Sequence, residues 1–138
     1  MHKLNSSRKF ILFAALILVF AMTAAFAVGC DGDDGFSVSE VQHDPFAFPG
    51  EITINGTVGM FSDDPNFFGV MDTNELLQCG QFDCGAWIMP TLFVGGSLPT
   101  IAQGDNVVLN GQFVNDGNGT VFQVTSMDVG NNIMDRLP

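Results

Sequence analysis

The chain lacks tyrosine entirely, and its 138 residues include one tryptophan, two histidines and three cysteines. Beyond Lys9 a single basic residue remains, Arg136. Each shortage excludes something. His43 is the one histidine outside the first few positions, so no Ser-His-Asp constellation can be assembled without inventing contacts. Nucleic-acid binders neutralise phosphates with Lys and Arg, and on that ground the sequence argues against nucleic acid as a partner. Helical periodicity is absent after residue 30, which leaves an all-β reading. Carboxylates are plentiful, but abundance does not pair them at the separation a glycosidase needs. An enzyme is therefore not expected.

What is present is acid. All fifteen Asp and Glu follow Cys30, against Arg136 alone. The segment from Cys30 onward carries a formal charge of about −14 at neutral pH. The plain reading is a solvated, soluble surface. Cationic partners such as metal ions, amines or basic proteins fit it as well, and such a face repels anionic lipid head groups.

The basic residues sit at the other end. Lys3, Arg8 and Lys9 precede Phe10–Val28, which holds no charge and one weakly polar residue, Thr23. A basic start followed by an apolar run is an export signal. At nineteen residues the run is also close to the roughly 20 that span a bilayer, so an uncleaved anchor and a cleaved signal compete. The small residues Ala27 and Gly29 before Cys30 favour cleavage. Ala27-Val28-Gly29-Cys30 resembles the lipobox of bacterial lipoproteins, with alanine where leucine is usual. The resemblance implies cleavage before Cys30 and diacylglycerol on its thiol. The domain is then held by its lipid to the inner or outer membrane of the cell envelope, on the non-cytoplasmic side. Asp31, directly after the cysteine, resembles the inner-membrane retention signal of enteric bacteria.

The expected organisation is a signal peptide over 1–29, an acidic Gly-rich tether over 30–39, and one β domain over 40–138. The tether carries Asp31, Asp33 and Asp34 between glycines, without the spacing of a calcium loop. Pro45 and Pro49 rule out a helix in the lead-in, which lays Phe46 or Phe48 on the barrel. Strands are expected over 51–61, 67–72, 86–94, 105–114 and 120–129. The first alternates, with Ile52, Ile54, Gly56, Val58 and Met60 on one parity, and Gly56 and Gly59 suggest a bend or bulge within it. Pro90 places the third at an edge or bulge. Residues 73–85 read as a polar loop, and 95–104 as a connector with room for one helical turn. Asn115–Gly119 reads as a hairpin loop, and the tail from Gly130 as weak. Five strands in this pattern predict a small OB-like barrel, with a β-sandwich as the alternative.

Val94, Gly96, Leu98-Pro99, Ile101, Gly104, Val107-Val108 and Gly111 are similar to the segment joining the third and fourth strands of the haem chaperone of bacterial cytochrome c maturation. That family is a membrane-anchored periplasmic OB barrel, so the resemblance implies the fold. It does not bring the activity. The family attaches haem through a C-terminal histidine with a tyrosine nearby, and the tail after Val129 holds neither.

The sharpest local feature is Cys79-Gly80-Gln81-Phe82-Asp83-Cys84. Outside the cytoplasm two such thiols oxidise, and the loop allows Cα atoms within the 4.4–6.8 Å range of a disulfide. The competing reading is a copper, zinc or haem site from His43, Cys79 and Cys84. Phe67, Phe68 and Trp87 are candidates for a ligand groove, although aromatic residues more often fill a core. The expected function is a lipid-anchored, non-catalytic binding module of the envelope, for an envelope protein or a small ligand.

Overall fold

The computed structural model describes residues 35–84 and 86–138. The expected signal over 1–29, the lipidated Cys30 and Asp31 lie outside the described residues. The first elements are a two-residue strand, Phe36–Ser37 (β1), and a short helix, Val38–Val41 (α1). A 3-10 turn at Pro45–Ala47 follows. The long strand Ile52–Phe61 (β2) leads through a turn into Phe67–Met71 (β3). Helix Thr73–Cys79 (α2) comes next. The remaining strands are Ile88–Phe93 (β4), Asp105–Asn115 (β5) and Thr120–Asn132 (β6). Among the described residues no helix is long and apolar enough to cross a membrane.

Alternation sets the strands, and their pairing closes a ring. β2 pairs antiparallel with β3, and β3 with β4. β4 lies parallel to β6 through Thr91, Leu92 and Phe93. β6 pairs antiparallel with β5, and β5 returns to β2 from Ile52↔Gly111 to Thr57↔Asn106. The β2–β5 ladder makes this a barrel and not a sandwich. Five strands closed in this order form a Greek-key barrel of the OB type. Its interior holds Ile54, Val58, Phe68, Val70, Met89, Phe93, Leu109, Phe122 and Val124, all buried. Burying side chains of this kind contributes roughly 1.5–3 kcal/mol each. Phe113 adds a ring 4.9 Å from that of Phe122. Pro90 sits where β4 pairs only with β3, next to the point where its β6 ladder begins, so its missing N–H costs no ladder bond.

Several expectations need correcting. The tether was expected to reach residue 39, but the fold begins by Phe36, which pairs in parallel with Ile54. Val38 and Val41 of α1 are buried in the barrel core. The helix forms because Ser37 and Glu40 make a reciprocal capping box: the Ser37 amide donates to Glu40 Oε2 at 2.7 Å, and the Ser37 hydroxyl accepts from the Glu40 amide. Two orphan amides are satisfied at once. The supposed loop over 73–85 starts as α2, capped by Asp72 and ended by Gly80 at φ 79°, whose amide donates to the Leu76 carbonyl at 2.8 Å. The left-handed conformation at that position suits glycine. The connector 95–104 forms no helical turn. The tail is not weak: β6 runs on to Asn132, and Ile133 is fully buried with Met71 and Leu76.

A second layer therefore lies outside the barrel. Met71 and Ile88 are register partners on the outer face of β3 and β4. Over them pack Leu76 and Leu77 of α2, Phe82 and Ala86 of the cysteine loop, and Ile133 and Leu137 of the tail.

Candidate functional site

The outer face of β3 and β4 is covered only in part. Beyond Met71 and Ile88 the same face opens into a groove of about 260 Å³, lined by Met60, Phe61, Ser62, Phe67, Phe68, Gly69, Ile88 and Pro90. No lining residue is charged.

The strand geometry explains why apolar side chains are left outside. The alternation of β2 predicts Met60 inside with Ile54 and Val58. A bulge between Val58 and Met60 shifts the register, and an inserted residue reverses the faces of all that follow. Met60 is thereby turned outward and is 50% exposed, with Phe61 beside it at 49%. Gly69, opposite Met60, forms the floor, and a Cβ added there would lie 2.7 Å from Met60 Cγ. Bare backbone at this point creates the hollow.

The turn at one end is held by its own hydrogen bonds. The Ser62 hydroxyl donates to the carbonyls of Asp64 and Phe67 at 3.0 and 2.9 Å, and Asp64 Oδ1 accepts from the Asn66 amide at 2.9 Å. Ser62 is thus a turn staple, its hydroxyl bonded to main-chain groups of Asp64 and Phe67.

Of the aromatic candidates, Phe67 and Phe68 line the groove, Phe68 mostly from the buried side. Trp87 does not; it packs half-buried against the barrel core. Met60 and Phe61, which the sequence reading did not place in a groove, form the exposed wall. The bulge suggested by Gly59 was the signal: carrying its change of parity through the strand turns Met60 outward.

Cys79 and Cys84 are joined by a disulfide with Cα atoms 6.2 Å apart. This overturns the metal reading, since bridged sulfurs are not thiolate ligands. His43 is exposed, and among the described residues no group of three His, Cys, Asp or Glu is placed to hold a metal. Among the described residues, His43, Cys79 and Cys84 are thus not brought together as a ligand set. The bridge joins the end of α2 to the loop that returns to β4. Gly80, inside the bridged loop, lies against Pro138, with Pro138 Cγ 2.9 Å from where its Cβ would be.

Asp72 ties the layers together. Its carboxylate accepts from the amides of Asn74 and Glu75 at 2.9 and 3.2 Å, and from the Ser39 amide at 3.1 Å. Burial pushes this carboxyl up, but the hydrogen bonds from Ser39, Glu75 and Asn74 outweigh it and hold it below its ordinary value. A carboxylate so bonded stays charged at neutral pH.

No family model matches the chain, and no curated protein matches it. Among solved structures it is similar to a Stn1-ten1 complex from S. pombe, at 12% identity and a TM-score of 0.41 over 62% of each chain. It is also similar to the asparaginyl-tRNA synthetase from Pyrococcus horikoshii, at 12% identity and a TM-score of 0.47 over 74% of this chain and 24% of that one. The chain thus spans less than two thirds of the length of either. The barrel assignment rests on the closed strand order. The exclusion of nucleic acid is corrected. A closed barrel of the OB type is a fold that takes oligonucleotides, and a net charge averaged over a chain does not decide what one uncharged face takes.

Proposed function

We propose that this protein is a lipid-anchored binding module of the cell envelope, without catalytic activity, whose ligand site is the groove over β2, β3 and β4. One observation carries the reading. The groove lies on the face of the second and third barrel strands beside the loop joining the first two, where OB barrels take their ligands, and its walls hold no charge. At about 260 Å³ it is smaller than a drug-sized pocket of roughly 300–1,000 Å³. It suits one uncharged apolar or aromatic group presented by a larger partner, stacked against Phe61 and Phe67. A nucleobase offers such a ring, so single-stranded oligonucleotide belongs in the same assay as apolar peptides.

The lipid anchor rests on Ala27-Val28-Gly29-Cys30 behind a basic, apolar leader. Labelled fatty acid on the wild-type chain, absent after Cys30→Ala, supports it; a mature N-terminus elsewhere than residue 30 sinks it. For the groove, a neutral solvatochromic dye such as Nile red should brighten on the wild-type protein and not on Met60→Glu. Equal brightening on both removes the groove as the site.

A further inference from the structure

We propose that Phe36, Phe46 and Phe48 form a membrane-contacting patch, so that the barrel rests against the lipid surface in one orientation and does not stand off from it. This rests on the lipidation of Cys30.

Three observations carry it. First, the tether is much shorter than the sequence implied. The Gly35 carbonyl already accepts from Asn55 Nδ2 at 3.1 Å, and Phe36 is paired with Ile54. Only five residues of advance separate Cys30 from Gly35. A chain spans at most about 3.3–3.6 Å per residue, so Gly35 lies no more than about 18 Å from the lipidated residue. The acyl chains fix Cys30 at the head groups, and the end of the barrel bearing β1 cannot leave their neighbourhood.

Second, this end is aromatic. The rings of Phe36 and Phe48 meet edge to face with centroids 4.8 Å apart. Phe36 is 39% exposed, and Phe46, on the turn leading to Phe48, is 54% exposed. Phe46 shows more of itself to solvent than any other large apolar side chain among the described residues.

Third, the turn itself is uncharged, although Asp33, Asp34 and Glu40 lie close to Phe36 along the chain. Pro45-Phe46-Ala47-Phe48-Pro49-Gly50 carries no charge in a chain that is otherwise strongly acidic. An uncharged aromatic turn can enter the head-group layer where a carboxylate face is repelled. Asp44 and Glu51 flank it, so the surface it fits is zwitterionic and not anionic. A lipid anchor of two or more chains already holds the protein to the bilayer. The patch therefore sets orientation and leaves attachment unchanged. It also leaves the groove clear, because Phe61 lies seven residues along β2 from Ile54, about 23 Å at the strand rise.

The test uses the full lipidated protein in phosphatidylcholine vesicles containing brominated lipid. Phe46→Trp and Phe61→Trp are compared, each keeping Trp87, whose signal in the unsubstituted protein is subtracted. The tryptophan of Phe46→Trp should shift to the blue and lose its emission to the bromolipid, while that of Phe61→Trp keeps it. Equal quenching at the two positions, or none at position 46, overturns the patch. Flotation of the same samples reports attachment separately. If the protein fails to float, the anchor reading has failed and the patch falls with it. If it floats with position 46 unquenched, the patch alone has failed. Phe46→Ser should float as well as wild type while amide hydrogen exchange at residues 46–48 rises on vesicles; unchanged exchange counts against the patch.

Discussion

The outer face of β3 and β4 has two halves that differ in what lies over them. At Met71 and Ile88 it is covered by α2, the bridged loop and the tail. At Gly69, Phe67 and Pro90 it is open and forms the groove. The residues beneath are equally apolar, so composition does not separate the halves. Local chain chemistry does. Asp72 starts a helix directly after β3, Gly80 ends it, and the Cys79–Cys84 bridge holds the return to β4 in place. Nothing comparable follows Phe61, where Ser62 and Asp64 make a tight turn that stays at the edge. One half is closed by a second layer, and the other stays open as the groove proposed above to take a ligand.

Substitutions should expose that contrast, the covered half in stability and the open half in binding. Leu76→Ala empties a fully buried site and should cost about 3 kcal/mol, since buried Leu→Ala changes cost roughly 2–5; urea denaturation measures it, and a loss under 1 kcal/mol would mean the second layer is loose. Replacing Cys79 and Cys84 together by serine should cost about 2 kcal/mol, the loop-closure value for a ring this short. Dye binding in the groove should survive that change; its loss would show that the halves are coupled. Asp72→Asn keeps an Oδ1 that can cap α2 but loses the charge and the Oδ2 acceptor of the Ser39 amide, so it should cost about 1.5 kcal/mol, in the range for a lost hydrogen bond to a charged group. The folded carboxyl of Asp72 is depressed, so its contribution is fully present above the unfolded value of about 3.9 and fades as pH falls through the lower folded value. The gap between wild type and Asp72→Asn should be constant at neutral pH and narrow below about pH 4; a gap that widened with acid would contradict the sign. Met60→Gln on the open half should change stability by no more than about 0.5 kcal/mol while weakening dye binding. A large stability loss there would make Met60 a core residue.

The strands were legible because their signal is repeated. Ile54 and Val58, Leu109 and Gly111, and Phe122 and Val124 each keep to one parity, and Asn115–Gly119 marks a hairpin. The helices were hidden because each is short. Ser37 and Glu40 carry a capping box, but they follow a run of glycines and aspartates that reads as linker. Asp72, Glu75 and Gly80 mark both ends of α2, with only Leu76 and Leu77 between them to suggest an apolar face. Ile133 is one apolar residue after two asparagines, and its burial depends on a hydrogen bond from its amide to the Gly104 carbonyl at 2.8 Å, which no local pattern announces. Phe67 and Phe68 were visible as groove candidates. Met60 stayed on the inner parity although Gly59 suggested a bulge, because composition does not show at which residue a bulge reverses the faces.

The helix built on Ser37 and Glu40 limits where the chain can be cut. On the proposed lipid anchor, a protease acting ahead of Gly35 would release an intact barrel. Cleavage a few positions further on, past Val41, would remove two side chains that fill the interior from one end. The severed product should then melt early or clump, so only a very narrow stretch permits clean shedding.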